Sequence, residues 1–342
     1  MATLKEVAKK AGVSITTASK ILNDKPFQIH ISEETKKKVL EVAKELNYYP
    51  NIFARSLRTK KTGIVGVIVS DITDPYFGGI INGAEKVLNE NDYYFLLSSA
   101  QNSPRREELY LTKLRKSRVD GLLILGGTQR FTNNEVEQLV RSGIPIVVVG
   151  RSAPHPDICS VTVDNFTGGF LATELLIKLG HQDIVHITTT EPRVDGEERL
   201  NGYKSAMEKH ELKNKCWIEK GDITAESGYK AMTNILKKGK RPTAVFAFND
   251  ISALGVMRAI RNQGLRIPEN IAVVGFDDIP IAAHFDPPLT TMRQPQEEMG
   301  RRGAELLIRA IREREKGAER ENIGLEAKLI TRKSSGSKRR AG

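Results

Sequence analysis

From residue 63 onward the chain alternates short, uninterrupted apolar runs with stretches of amphipathic-helix length, and few architectures absorb that pattern. The runs fall at 64–69, 93–98, 121–125, 145–149, 184–187, 244–247 and 271–274. A strand that is apolar at every position must be covered on both faces, which predicts an α/β fold with parallel sheets between layers of helices. About 270 residues of this pattern are too many for one core and suit two doubly wound lobes. A last helix is expected over 297–315, then one more strand at 326–330, then a basic tail.

The first sixty residues obey a different period. Thr3 stands three residues before Glu6, a capping box that opens a helix with Leu4, Val7, Ala8 and Ala11 on one face. Gly12 ends it, and Ser14 is placed to cap a second helix over 15–22 that turns Ala18, Ile21 and Leu22 inward. Ser32 caps a third, with Glu33 and Glu34 near its positive end and Val39, Val42, Ala43 and Leu46 as its buried stripe. After Pro50 comes a short segment, 51–58, with too few apolar residues to hold a helix alone.

Charge separates the two parts. Residues 1–61 carry 13 Lys and Arg against 6 Asp and Glu, and residues 333–342 carry Lys333, Lys338, Arg339 and Arg340 with no acid. The net charge of +11 therefore sits at the two ends and the long middle is neutral. A basic module beside a neutral domain fits phosphate-backbone binding, although a solvated lysine-rich helix face gives the same surplus. Cys159 and Cys216 are far apart and in no CxxC spacing, so no disulfide framework or zinc site is expected. With no signal-length apolar segment at the amino terminus and no apolar stretch longer than a strand, the chain is expected in the cytoplasm, off the membrane. No P-loop, no GxGxxG after the first strand, no GxSxG and no metal-spaced histidine pair occurs, so neither an enzyme nor a cofactor is expected.

The stretches TLKEVAKKAGVSITTASKILN and SEETKKKVLEVAKELNYYPNIFARSLRTKKT resemble the headpiece and hinge of the lactose/galactose-repressor (LacI/GalR) family. VGVIVSDITDPYFGGI, VDGLLILGG, ERLNGY, RPTAVFAFNDISALG, GLRIPENIAVVGFDD and PPLTTMRQP are similar to its effector domain, in the family's order. The resemblance implies a helix-turn-helix headpiece over 1–49, a hinge helix and linker over 50–62, and a periplasmic-binding-protein-like core of two Rossmann-like lobes over 63–332. Residues 333–342 would be a flexible basic tail. The implied protein is a homodimeric repressor on a near-palindromic operator in double-stranded DNA, controlled by a small effector of carbohydrate type. A nucleobase-responsive corepressor system and a binding protein without regulatory role are the alternatives.

In a helix-turn-helix the second helix enters the major groove by its first turns. The resemblance gives base reading to Ile15, Thr16 and Lys20: Lys20 can donate to guanine, and Ile15 can meet only a thymine methyl. Ser14, Thr17 and Ser19 would bind phosphate oxygens or cap the helix. In the hinge, Leu57 either packs on the core or, as the family implies, wedges a base step open, with Asn51, Ala54, Arg55 and Arg58 around it.

In paired Rossmann-like lobes, ligands bind at the carboxyl ends of the strands. Polar residues at those ends include Asp71, Asp74, Arg151, Asn249, Asp250, Asp277, Asp278 and Gln294, with Tyr76 and Phe77 offering ring faces. The resemblance selects Asp74, Phe77, Arg151, Arg199, Asn249, Asp277 and Gln294 as effector contacts. Gly150 and Ile223 depart from the pattern, standing where sugar receptors of this fold carry an aspartate and an aromatic residue.

Overall fold

The computed structural model describes residues 2–22, 31–48, 61–126, 137, 140–153, 155–190, 193–239, 241–313 and 321–336. The chain divides into two compact units, Met1–Gly63 and Ile64–Gly342.

The first unit holds α1 (Leu4–Ala11), α2 (Ile15–Leu22) and α3 (Glu33–Glu45). Each start is fixed locally. Glu6 donates its backbone N–H to Thr3 Oγ1 while Thr3 donates its own to Glu6 Oε2 at 2.7 Å, the reciprocal box read from the sequence. Gly12 ends α1 at φ +73°, a left-handed conformation that favours glycine. Ser14 Oγ accepts from Thr17 N at 3.0 Å, and Ser32 Oγ from Thr35 N at 3.2 Å. Val7, Ala8, Ala11, Ala18, Ile21, Val39, Val42 and Ala43 close into one small core, with Leu4, Leu22 and Leu46 packed at its edge.

The second unit is built on two six-stranded sheets. The first has the order β11-β5-β4-β3-β1-β2, from β1 (Ile64–Val69), β2 (Tyr94–Ser99), β3 (Gly121–Leu125), β4 (Ile146–Val149), β5 (Cys159–Val163) and β11 (Asn322–Leu325). All its pairs are parallel, with Val67 beside both Leu97 and Leu123. The helices described in full against it are α4 (Tyr76–Glu90), α5 (Pro104–Lys116) and α10 (Gln296–Arg312). Alternate strand residues face opposite helix layers: Val65, Val67 and Val69 meet Ile80 and Leu307, whereas Ile68, Leu122 and Ile124 meet Leu111 and Leu114.

The second sheet runs β12-β10-β9-β8-β6-β7, from β6 (Ile184–Thr189), β7 (Trp217–Gly221), β8 (Ala244–Ala247), β9 (Ala272–Asp277), β10 (Thr290–Arg293) and β12 (Lys328–Ile330). Only β12 is antiparallel, to β10. Its helices are α6 (Asn165–Lys178), α7 (Val194–Lys209), α8 (Ala225–Lys237) and α9 (Asp250–Asn262). The chain passes between lobes three times, after β5, after β10 and between β11 and β12, so both sheets point their carboxyl ends at the crossings.

The expected single strand at 326–330 is divided: β11 completes the first sheet, Glu326 and Ala327 make the crossing, and β12 joins the second. The last helix stops at Arg312. The tail begins later than residue 333, because Lys333–Ser335 form a 3-10 turn with Ser334 and Ser335 buried. Ser334 Oγ donates to Val273 O at 2.7 Å and accepts from Thr290 N at 2.8 Å, which ties the end of the chain to β9 and β10. Residues 337–342 lie outside the described residues.

Candidate functional site

Six of the seven expected effector residues, Asp74, Phe77, Arg199, Asn249, Asp277 and Gln294, line one cleft between the lobes. Counted with its open mouth and the solvent in it, the cleft encloses about 560 Å³. Asp74 and Phe77 come from the first lobe, Arg199, Asn249 and Asp277 from the second, and Gln294 from the crossing after β10.

Arg199 projects from α7 and is almost wholly buried. Its Nε donates to Asn165 Oδ1 at 3.0 Å, its Nη1 donates to Phe248 O at 2.8 Å, and its plane lies over the rings of Phe276 and Phe248 at 3.8 and 4.7 Å. These contacts fix the guanidinium and leave Nη2 directed toward Asp277, 3.8 Å from Oδ1. Asp277 ends β9 at φ +114° and Asp278 follows at φ +56°, two consecutive side-chain-bearing residues in left-handed backbone. Burial pushes the Asp277 carboxyl well above the usual carboxylate range, against the pull of Arg199. Asp278 is structural: it pairs with Arg293 at 2.6 Å and Arg332 at 2.7 Å. Asp250 is structural too, accepting from Thr291 Oγ1 and Ile279 N, and burial raises its carboxyl to about 7.

Asn249 caps α9 through Oδ1, which accepts from Ser252 N at 2.8 Å, so Nδ2 is the group with capacity for a ligand. Asp74 Oδ1 accepts from Tyr76 N at 3.0 Å, and burial raises its pKa. Phe77 packs beneath Gly126, where a Cβ would come within 2.8 Å of the ring.

Arg151 is the exception and does not line the cleft. Glu107 is buried within the first lobe and needs a cation, and Arg151 Nη2 meets its Oε1 at 2.9 Å. Gly150, at φ +84°, lines the cleft in its stead.

The cleft also contains residues absent from the expected set. Arg193 and Asp195 form a two-pronged pair, Nε to Oδ1 at 3.1 Å and Nη2 to Oδ2 at 3.2 Å. Burial alone would raise the Asp195 carboxyl, yet Arg193 and Arg199 together hold it below its ordinary value. Both residues follow β6, so the strand-end rule would have found them had it been applied there. Asn165 follows β5, a strand whose alternating Ser160 and Thr162 hid it from an all-apolar search, and Phe248 gave no polar signal.

In the first unit, Ser14, Ile15 and Thr16 are exposed at the start of α2, and Ile15 leaves 50% of its surface in water. Thr17, Ser19 and Lys20 are half-buried. Ser14 takes the capping role, and its hydroxyl also shares a 2.8 Å bond with Thr17 Oγ1. The hinge candidates Asn51, Ala54, Arg55, Leu57 and Arg58 lie outside the described residues.

The geometry has parallels among known proteins. Residues 3–51 match the model for bacterial regulatory proteins of the lacI family, and residues 173–335 match that for a periplasmic binding protein-like domain. The HTH-type transcriptional repressor PurR of Histophilus somni (strain 129Pt) is 38% identical over 336 residues, covering 98% of this chain and 99% of the relative. The structure of a transcriptional regulator CelR–cellobiose complex is 33% identical, covers 98% of this chain and 100% of its own, and superposes with a TM-score of 0.72. That of the Lac repressor dimer bound to operator and the anti-inducer ONPF, 28% identical and covering 98% of this chain and 99% of its own, gives 0.85. A helix-turn-helix unit, a two-lobed core and near-full-length likeness to these repressors together place the chain in the LacI family of bacterial regulatory proteins.

Proposed function

We propose that the three-helix unit and the hinge read a near-palindromic operator, and that the cleft takes a small neutral polyhydroxyl effector, a sugar or sugar derivative. The protein is a DNA-binding transcription regulator of the repressor type, a homodimer on double-stranded DNA controlled by a small molecule. On this reading residues 1–49 form the headpiece, 50–62 the hinge, and 63–336 the effector and dimerisation core. Ile15, Thr16 and Lys20 face base edges, Ser19 a phosphate, and Leu57 the minor groove with Asn51, Ala54, Arg55 and Arg58 beside it.

The observation that carries the effector reading is the convergence of Asp74, Arg199, Asn249, Asp277 and Gln294, from both lobes, on one cleft. Among the described lining residues two arginines, Arg193 and Arg199, stand against three carboxylates, two of which burial biases toward the neutral form. Such a cleft is close to electroneutral and matches a ligand with many hydroxyls better than a multiply charged anion. A flat nucleobase is the second reading, favoured by the rings of Tyr76, Phe77 and Phe248 in the lining. Among the described residues the lining contains no histidine, lysine or cysteine, and we read the cleft as binding its ligand without turning it over. Work on chromosomal DNA puts the protein in the cytoplasm, and no described helix is long and apolar enough to cross a membrane.

A thermal-shift panel of sugars, sugar acids and nucleobases tests this. A true ligand at one hundred times its Kd adds about 2.7 kcal/mol of stability. A panel in which nucleobases shift the melt and sugars do not overturns the carbohydrate assignment.

A further inference from the structure

Tyr76, in the first turn of α4, packs its ring against the apolar cores on both sides of the cleft. Its hydroxyl donates to Gln294 Oε1 at 2.9 Å. Gln294 is buried on the crossing after β10, and its Nε2 donates to Asp277 Oδ1 at 2.6 Å. Gln294 also gives its backbone N–H to Asp277 O, and Gln296 Nε2 donates to the same carbonyl at 2.9 Å. One amide thus uses its oxygen on the first lobe and its nitrogen on the second, and both neighbours are satisfied in that orientation alone when Tyr76 donates and Asp277 accepts.

We propose that Tyr76, through Gln294 and Asp277, is a latch that holds the two lobes closed before any ligand arrives. The proposal rests on the cleft being the effector site and concerns how that site is regulated. Opening the cleft peels the Tyr76 ring from one of two cores and breaks a buried link of the relay, so opening costs free energy even without ligand. Apparent ligand affinity scales with the fraction of protein already in the competent state, and a latch raises that fraction. Tyr76 is therefore a positioning residue: it sets how much of the ligand's binding energy goes into moving the lobes. Closure becomes a property of this chain that the ligand adjusts.

The test needs no ligand. Arg105 and Glu226 are exposed in the first turns of α5 and α8, one in each lobe, and Asn102 and Ile223 just before them line the cleft. Spin labels at Arg105→Cys and Glu226→Cys, in full-length protein with Cys216→Ser and with Cys159 buried, report the lobe separation by pulsed dipolar spectroscopy. Dilution with unlabelled chain leaves one labelled copy per dimer. The parent should give one short-distance population. Tyr76→Phe keeps the ring and removes the hydroxyl, and should add a longer-distance population, lowering the closed-to-open ratio roughly two- to tenfold, the equivalent of one hydrogen bond. Gln294→Leu should act in the same direction, and the double variant should go no further than the stronger single one, because both cut the same link. Distributions that superimpose on the parent, or a parent already open, would overturn the latch. A sugar panel that leaves the parent's melt unchanged counts against the carbohydrate reading of the cleft and leaves these distances as the measure of the latch.

Discussion

Asp277 concentrates the demands made on a single residue of this chain, with a strained backbone, a buried carboxyl and a neighbouring guanidinium held at 3.8 Å. Replacing Arg199 by alanine should weaken effector binding roughly ten- to hundredfold, the loss of a hydrogen bond to a charged group, while operator affinity in the absence of effector stays near normal. Calorimetric titration and operator binding on the same preparations check both halves. Another buried group sets a pH dependence. His186 lies fully buried between Tyr203 and Phe246, its Nδ1 bonded to Phe246 O at 3.0 Å, and burial lowers its pKa to about 4. The unfolded chain takes up a proton near pH 6.5 and the folded chain does not, so stability is complete above pH 6.5 and falls by up to about 3 kcal/mol as pH drops toward 4. Urea melts of wild type and His186→Gln across that range should diverge on acidification, and a pH-independent gap would contradict the assignment. Single residues were legible in proportion to how much of their role is local. The Thr3–Glu6 box and the Ser14 and Ser32 caps could be read from spacing, whereas the departure of Arg151 depends on its pairing with buried Glu107, 44 positions away.

At the scale of elements, three helix pairs pack through reciprocal glycines. Gly83 and Gly300 join α4 to α10, Gly169 and Gly202 join α6 to α7, and Gly228 and Gly255 join α8 to α9. A Cβ at Gly300 would lie 1.9 Å from Ile80 O, and one at Gly255 1.8 Å from Ala225 O, so the backbones are in contact and the helices must separate to admit a methyl group. Gly300→Ala or Gly255→Ala should therefore cost about 1 to 3 kcal/mol by denaturant unfolding, despite alanine's better helix propensity. No sequence pattern announced these pairs, because each glycine's partner lies on a helix brought near only by the fold. The strands divided in the same way. β1, β3 and β8 are apolar throughout and were placed at the residue, whereas β7 sets Glu219 and Lys220 side by side at a sheet edge, and β10 mixes Thr290 and Thr291 with Met292. In the first unit, α2 carries the proposed operator contacts, and on that reading Lys20→Ala should lose roughly 1 to 3 kcal/mol of discrimination at one base pair per half-site. Equal losses on operator and random DNA would make Lys20 a phosphate contact.

At the scale of the whole molecule, function requires the cleft and the operator contacts to share one equilibrium. A ligand can move that equilibrium only by its differential affinity for the arrangements that bind and release DNA. On the proposed reading lobe closure is the coordinate on which a cleft ligand acts, with Asp277 and Gln294 beside one of the three crossings between lobes. Arg199, on that reading, acts on ligand and not on DNA, so it separates regulation from binding. The decisive measurement is a fluorescence-anisotropy titration of the full chain on the palindrome it selects from random duplexes, with and without the best ligand of the panel, for wild type and Arg199→Ala. Wild type should change its operator affinity when the ligand is added, and Arg199→Ala should match ligand-free wild type in both conditions. A folded Arg199→Ala that keeps the full response, or a wild type whose operator affinity is the same with saturating ligand, would contradict the account.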